Sequence, residues 1–201
     1  MASLPAFRVI ERARVSPPPG GVAESTLPLS FFDLAWVDAG AVERVIFYHL
    51  PHSTSYFFDS ILHDIKSSLS LALQQFYPLA GKICHPFDKY EIHYADGDSV
   101  PFRVAEYEAD FEDISSSHAR DIDVLRPLVP QQPKSDAGRV PLLALQVTVF
   151  PNQGAAIGVA VHHAACDGLS SIRFMSCWAS TCARSKGFAG AIVYFSYMRF
   201  P

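Results

Sequence analysis

The 201-residue chain lacks the marks of several large protein classes. Its 16 basic residues form no cluster and its formal net charge is −4, so neither nucleic acid nor an anionic membrane is an expected partner. No segment reaches the ~18 consecutive apolar residues that a membrane-spanning helix needs. The first residues contain no apolar stretch of the kind found in a secretory signal.

Cysteine is also scarce. The four cysteines, Cys84, Cys166, Cys177 and Cys182, show no spacing typical of a disulfide framework. Because no secretory signal precedes them, we expect reduced thiols and a cytoplasmic location.

The composition nevertheless predicts a folded domain. Hydrophobic residues make up 49% of the chain and charged residues 18%, which excludes a disordered protein. A chain of this length buries about 70% of its unfolded surface, enough for a sizeable core. The length fits one domain, or one half of a larger two-domain protein.

Apolar periodicity predicts a mixed α/β fold. Residues 55–77 carry apolar side chains at three- and four-residue steps, typical of an amphipathic helix, and a second such helix is expected after Gly168. Residues 111–141 are polar and contain four prolines, which predicts a long crossover loop with one short helical turn. Strands are expected at 7–15, 42–50, 91–94, 101–105, 142–150 and 155–161.

Several individual positions receive structural interpretations. In the alternating strand 142–150, Gln146 and Thr148 occupy the polar face. Lys82 is expected to be solvated in the turn after the long helix, and Asp98 to belong to the turn 96–98. The two tryptophans, Trp36 and Trp178, have apolar neighbours and are predicted to lie in the core.

The stretch 162–168, His-His-Ala-Ala-Cys-Asp-Gly, directly follows the apolar strand 155–161. A strand end presents side chains to a cleft from a rigid scaffold, and an imidazole that titrates near neutral pH can act there as a general base. His163 is the candidate base, with Asp167 four residues beyond it.

Three other interpretations compete for this stretch. A structural one treats the histidines as hydrogen-bonded core residues and Asp167 as the cap of the next helix. A metal site would use His162, His163, Cys166 and Asp167, although one short segment rarely supplies a complete tetrahedral shell. A cysteine nucleophile would be Cys166, although cysteine is often only a small buried apolar residue.

Further motifs accompany the histidine stretch. They are FYPLAGKI at 76–83, DGDSV at 96–100, LPLSFFD at 27–33, FYHLPHS at 47–53 and LLALQVTVFPN at 142–152. Together they resemble the BAHD family of plant acyl-CoA-dependent acyltransferases, in particular the branch that places malonyl or related groups on anthocyanin and other phenolic glucosides. The resemblance covers roughly residues 7–183, and the family's late Asp-Phe-Gly-Trp-Gly signature has no counterpart here.

This resemblance implies a fold and a reaction. The fold would be the N-terminal half of a two-domain, chloramphenicol-acetyltransferase-like enzyme. His163 would take the proton of an acceptor hydroxyl, which would attack the thioester of an acyl-CoA co-substrate, malonyl-CoA in this branch. No metal or tightly bound cofactor is implied. Asp167 would support the site through an ion pair with an arginine outside this chain, Gly168 through a tight bend, and His162 in a minor role.

The departures from the family imply alternatives. Members are about twice as long, so residues 1–184 are expected to form the N-terminal acyltransferase half and 185–201 a divergent apolar tail. One alternative is an inactive half-domain that binds or interacts through an exposed interdomain face, including by self-association. Another is a site built between identical subunits, as in chloramphenicol acetyltransferase.

Overall fold

Two β-sheets form the framework of the molecule. The computed structural model describes residues 5–50, 52–86, 89–119, 121–131, 139–184 and 193–194. The strands within them are β1 Phe7–Val15, β2 Ser25–Pro28, β3 Ala41–His49, β4 Lys82–Cys84, β5 Glu91–Tyr94, β6 Val100–Tyr107, β7 Val140–Pro141, β8 Leu143–Phe150, β9 Gly154–His162 and β10 Val193–Tyr194. The larger sheet has the strand order β1-β6-β8-β9-β3-β10 and the smaller one the order β2-β5-β4-β7.

The larger sheet is mixed, which confirms the predicted α/β class. Strands β6 and β8 are parallel, whereas the other described pairs in this sheet are antiparallel. A parallel pair needs a long crossover connection, and residues 108–142 provide it. The expected hairpin joins β8 to β9. Strand β10 lies within the expected tail 185–201 and pairs with β3; the rest of that tail lies outside the described residues.

Two long helical segments cover one face of this sheet. The helices are α1 Phe31–Leu34, α2 Thr54–Tyr56, α3 Leu62–Gln75, α4 Phe111–Ser115, α5 Ile122–Leu125 and α6 Gly168–Arg184, with a π-helical segment Phe57–Ile61 between α2 and α3. The predicted helix over 55–77 is therefore confirmed, with Ser53 as its N-cap. Short 3₁₀ turns follow at Tyr77–Ala80 and Arg126–Leu128.

The main core lies between the sheet and helices α3 and α6. Leu69 and Leu73 of α3 are completely buried, as is nearly all of Phe174 and Trp178 of α6. The Trp178 indole N–H donates to the carbonyl of Ile65 and lies equally close to the Ser68 hydroxyl, both at 3.2 Å. The predicted core position of Trp178 is thus confirmed.

The crossover segment covers the opposite face of the sheet. It contains α4, α5, a 3₁₀ turn and the short strand β7, so it holds more structure than the single helical turn that was expected. Gln146 and Thr148 do face this side, but both are completely buried. Gln146 is paired there because its amide donates to the carbonyl of Pro127 at 2.8 Å and accepts from Arg103 at 2.5 Å.

The smaller sheet shows where the sequence interpretation was incomplete. Strands β2 and β4 and helix α1 are too short to give a periodic signal, and none of them was predicted. Because β4 pairs with β5, Lys82 lies beside the turn that follows β5, and its ammonium contacts the Asp98 carboxylate at 2.5 Å. Lys82, expected to be solvated, is 32% exposed and also forms this ion pair, which was not predicted. Among the described residues, no helix is both long and apolar enough to cross a membrane.

Gly158 of β9 offers a direct test of the crossover packing. A Cβ at this position would overlap the carbonyl oxygen of Leu128. We expect Gly158→Ala to lower the free energy of unfolding by about 1–3 kcal/mol, because backbone must move to relieve the overlap. Urea denaturation followed by circular dichroism measures this.

Gly168→Ala is the matched control. A Cβ there would meet only Arg44, at 3.9 Å, and alanine is the better helix former. This variant should be as stable as the wild type or more so. Equal stability of the Gly158→Ala variant and the wild type would contradict the close approach of the crossover segment to β9.

Candidate active site

The candidate base lies where the buried strand β9 leaves the sheet. β9 is paired with β8 on one side and with β3 on the other, and its residues are buried throughout. Two backbone hydrogen bonds continue past the pairing: His162 N–H donates to the Leu142 carbonyl at 2.7 Å, and His163 N–H to the Gly40 carbonyl at 3.2 Å. The backbone at His163 is therefore fixed from both sides.

The His163 side chain is half-buried and stacks on an indole ring. The rings of His163 and Trp36 are 4.0 Å apart at their centroids and 12° from parallel. No described residue hydrogen-bonds to the imidazole nitrogens of His163, so both remain available to a substrate. Trp36 is 44% exposed, and its predicted core position was wrong: it follows α1 in a surface turn beside His163.

His162 points into the protein and is 2% exposed. Its Nδ1 accepts a hydrogen bond from the Ala164 N–H at 3.3 Å, and the ring also hydrogen-bonds to the backbone of Val37. Burial lowers the pKa of His162, so its imidazole is neutral near pH 7. This geometry holds the turn together and leaves His162 away from any substrate.

Asp167 caps helix α6. Its Oδ1 accepts from the Ser170 N–H at 2.7 Å, and its carbonyl accepts from the Ser171 N–H at 3.0 Å. The hydrogen bonds from the Ser170 backbone and side chain hold the pKa of Asp167 below its usual value. The capping role that the structural interpretation gave to Asp167 is thus present, and the carboxylate is directed at the helix instead of at His163.

Gly168 begins α6 in an ordinary conformation. Among the described glycines, only Gly20, Gly40 and Gly97 have a positive φ. The φ of Gly168 is therefore one that other residues also adopt, and the tight bend that the resemblance implied at this position stays a prediction.

The described structure supports neither a Cys166 nucleophile nor a metal site. Burial raises the pKa of the Cys166 thiol to about 11, so the thiolate that a nucleophile requires is scarce at neutral pH. Across the described ranges, no three or more His, Cys, Asp or Glu side chains are grouped so that they could hold a metal ion. All four cysteines are free thiols.

A guanidinium that the sequence did not single out lies under the first turn of α6. Arg44 of β3 donates through Nη1 to the Ser171 hydroxyl at 2.6 Å. Its Nε is buried and has no hydrogen-bond partner among the described residues. Arg44 therefore links β3 to the start of α6, five residues after His163.

Large apolar side chains are exposed in the segment that contains Trp36 and in the segment that follows His163. They lie on α1, in the turn after it and on the first turns of α6: Phe31, Phe32, Leu34, Trp36, Leu169 and Ile172. A cavity of about 690 Å³, by contrast, lies on the crossover side of the sheet near Arg103 and Arg126, and His163 does not line it. The candidate base is therefore not part of this cavity, and the exposed Trp36 is the apolar side chain that contacts it.

Comparison with known proteins identifies the family. A family model described as the Transferase family matches residues 8–195. The chain belongs to the BAHD transferase family. The match continues beyond the end of α6 at Arg184, further than the sequence motifs extend.

Relatives of this BAHD chain are named as acyltransferases acting on glucosides. The chain is 38% identical over 192 residues to "Malonyl-coenzyme A:anthocyanin 3-O-glucoside-6''-O-malonyltransferase" of Dahlia pinnata, covering 90% of this chain and 42% of that enzyme. It is 44% identical to "Phenolic glucoside malonyltransferase 1" of Arabidopsis thaliana, covering 90% and 39%. It is 38% identical to "Coumaroyl-CoA:anthocyanidin 3-O-glucoside-6''-O-coumaroyltransferase 2" of the same plant, covering 89% and 40%.

A solved structure supports the fold. Vinorine synthase superposes with a TM-score of 0.71 and 25% identity, over 91% of this chain and 44% of that one. The BAHD chain thus spans about two fifths of the length of the relatives it matches.

The sequence located part of this site. It predicted the stretch 162–168 and the strand before it, and the structure brings His163 to the surface while directing His162 and Asp167 into the turn and the helix cap. It missed Trp36 as a site residue and Arg44 altogether. Trp36 lies just after the LPLSFFD motif of the BAHD chain, and this position could have marked it as a site residue. Its contact with His163 could not be predicted, because that contact arises only from the pairing of β3 with β9.

Asp167 provides a stability test of the cap. We expect Asp167→Ala to lower the urea midpoint at pH 7, because the Ser170 N–H loses its acceptor, whereas Asp167→Asn retains most of the stability. The folded pKa is depressed, so the ionised carboxylate contributes fully above the unfolded value of about 3.9. That contribution disappears as the pH falls through the lower folded pKa.

The measurement compares urea midpoints of wild type and Asp167→Ala from pH 7 downward. The difference should shrink on acidification. Identical midpoints at pH 7 would show that the carboxylate does not cap α6.

Cys166 provides a test of reactivity. We expect iodoacetamide at pH 7.5 to alkylate Cys166 more slowly than the half-buried Cys177, because burial keeps the Cys166 thiol protonated. Its rate should keep rising until the pH approaches 11. Peptide mass spectrometry of timed samples reports both rates, and fast labelling of Cys166 at neutral pH would contradict the assignment.

Proposed function

We propose that this chain carries the general base of an acyl-CoA-dependent O-acyltransferase that moves a malonyl group to a hydroxyl of a phenolic or flavonoid glucoside. The observation that carries the proposal is the position of His163. Its backbone is fixed at the end of a buried strand, while its imidazole is half-exposed and unengaged by described hydrogen-bond partners. A base in this setting can meet a substrate without first giving up a structural hydrogen bond.

The proposed reaction needs one proton acceptor and no covalent enzyme intermediate. A nitrogen of His163 takes the proton of the acceptor hydroxyl as its oxygen attacks the thioester carbonyl of malonyl-CoA. The resulting tetrahedral oxyanion collapses, the C–S bond breaks, and CoA leaves as a thiolate that the imidazolium reprotonates. The malonyl ester of the glucoside is the product.

The neighbouring residues have supporting parts in this proposal. Asp167 does not contact His163; its carboxylate fixes the start of α6 and thereby the turn 163–167. His162 is neutral and buried, and it ties the same turn to Val37. The exposed apolar side chains of α1, of the turn after it and of the start of α6 are suited to the aromatic part of a phenolic or flavonoid acceptor.

The choice of acyl group rests on the names of relatives. Malonyltransferases and a coumaroyltransferase match this chain to a similar extent, and no described residue distinguishes the two donors. We propose malonyl-CoA because several of the matched relatives are named for it. The cytoplasm is the proposed location, in keeping with four free thiols.

A second candidate function is a half-domain that binds without catalysing. One observation favours it: large apolar side chains are exposed on α1, in the turn after it and at the start of α6. A surface of this kind favours association with a partner or with a second copy of the chain.

Release of CoA thiol tests the enzymatic proposal. Purified chain, shown to be folded by circular dichroism, is incubated with malonyl-CoA and a panel of phenolic and flavonoid glucosides, and free thiol is measured with a thiol reagent. We expect acceptor-dependent release, and a loss of about 10²–10⁴-fold in His163→Ala, the usual contribution of a general base. Parallel assays with coumaroyl-CoA test the donor.

His63→Ala is the matched control, because His63 is an exposed histidine on α3. It should retain wild-type activity. No thiol release above the His163→Ala background from folded wild-type chain would overturn the enzymatic proposal. The half-domain interpretation would then remain, and sedimentation velocity would show whether the chain self-associates.

A further inference from the structure

We propose that Trp36 is a positioning residue for His163: its indole ring, stacked on one face of the imidazole, holds that ring in a single orientation. The inference deepens the proposed function and rests on it for the role of His163 as base. The stack itself is a feature of the molecule, with ring centroids 4.0 Å apart and planes within 12° of parallel.

A catalytic histidine needs a group that orients it. In histidine-based sites this group is usually a carboxylate or a carbonyl that hydrogen-bonds to the ring nitrogen remote from the substrate. Here the nearby carboxylate, Asp167, accepts from the Ser170 N–H. No other described residue hydrogen-bonds to the His163 ring. The torsion that turns an imidazole about its Cβ–Cγ bond has broad minima, so the indole face is the described contact that restrains it.

The backbone around Trp36 is held by hydrogen bonds although the residue is exposed. Helix α1 begins with a capping box: the Asp33 N–H donates to the Ser30 hydroxyl at 3.3 Å, and the Ser30 N–H donates to the Asp33 carboxylate at 2.8 Å. The Trp36 N–H then donates to the Asp33 carbonyl at 3.0 Å, and the Trp36 carbonyl accepts from Ala39 at 3.2 Å. The backbone that carries the indole is therefore ordered on both sides.

The turn that bears Trp36 is also joined to the end of β9. The Gly40 carbonyl accepts from the His163 N–H, and the Val37 backbone hydrogen-bonds to the His162 ring. Gly40 has a φ of 74°, a conformation that favours glycine and lets the turn pass directly into β3. Both rings of the stack are thus mounted on backbones that are hydrogen-bonded to each other.

The stack covers one face of the imidazole, and the His163 side chain stays partly exposed to solvent. Trp36 can therefore restrain the ring while a substrate still reaches it. During transfer the imidazole becomes a cation, and an aromatic face, that of tryptophan above all, attracts a cation placed against it. The contact that orients the base therefore also places an aromatic face against the positive charge that the ring carries during transfer.

Nuclear magnetic resonance relaxation tests the orientation without any need for turnover. The full chain is prepared with ¹³C in the histidine rings, and the His163 Cε1–H signal is assigned by its loss in His163→Gln. We expect Trp36→Leu to move this signal downfield, since the ring current of the indole is lost, and to lower the order parameter of the bond. In Trp36→Phe, the chemical shift and the order parameter should both stay closer to their wild-type values.

Phe32→Leu is the matched control for the relaxation experiment. Phe32 is an exposed aromatic residue of α1 that packs edge-to-face against Phe31 and makes no described contact with His163. Its replacement should leave the His163 signal and order parameter unchanged. Amide spectra of all variants should otherwise overlay, which separates a local effect on His163 from unfolding.

Kinetics supply the second measurement where the wild-type chain turns over. We expect Trp36→Leu to reduce kcat about 10-fold or more, as for a misplaced base, with KM for the acceptor changed less than kcat, and Trp36→Phe to recover most of the loss. An unchanged order parameter in Trp36→Leu overturns the proposal, as does an unchanged kcat in an active chain. If the wild type is inactive, the proposed function fails and the relaxation result alone decides whether Trp36 holds the ring.

Discussion

The hydrogen bonding at the end of β9 is the constraint on which the rest of the site depends. β9 is the strand between β8 and β3, and both neighbours hold it up to its last residues. The hydrogen bonds from the N–H groups of His162 and His163 to the carbonyls of Leu142 and Gly40 fix the backbone for one residue beyond the strand. Because unpaired buried backbone groups are costly, this exit point cannot shift without losing bonds on both sides. A side chain attached there has a fixed origin, whatever its own freedom.

Packing on the two faces of the sheet keeps β9 in place. On one face, α3 and α6 bury the larger core; on the other, the crossover segment approaches β9 so closely that Gly158 has no room for a side chain. Gln146, with its full set of buried hydrogen bonds, attaches the same segment to β8. Buried polar groups that are fully paired favour one arrangement over its alternatives. The rigidity of the strand end is therefore a property of the whole sheet.

The chemistry of the turn follows from a division of roles among residues that are neighbours in sequence. Burial makes His162 neutral and structural, and it makes the Cys166 thiol inert. The Asp167 carboxylate accepts a hydrogen bond from a free N–H group at the start of α6. In the sequence, four side chains were candidates for a metal site or a nucleophile: His162, His163, Cys166 and Asp167. Of these, only His163 has no structural role. Trp36, from a distant part of the chain, meets it.

The sequence by itself determined the fold class, the long helix, the hairpin of β8 and β9 and the stretch in which the candidate base lies, because these depend on periodicity and on residues close along the chain. Its interpretation of Trp36 as a core residue failed, and it missed the ion pair of Lys82 with Asp98. Both depend on what lies opposite in the folded chain: the end of β9 for Trp36 and the turn after β5 for Lys82. Strand order and register decide such contacts, and they are set by the free energy of the whole sheet. Only the tertiary structure, therefore, could bring an exposed tryptophan onto the face of the histidine.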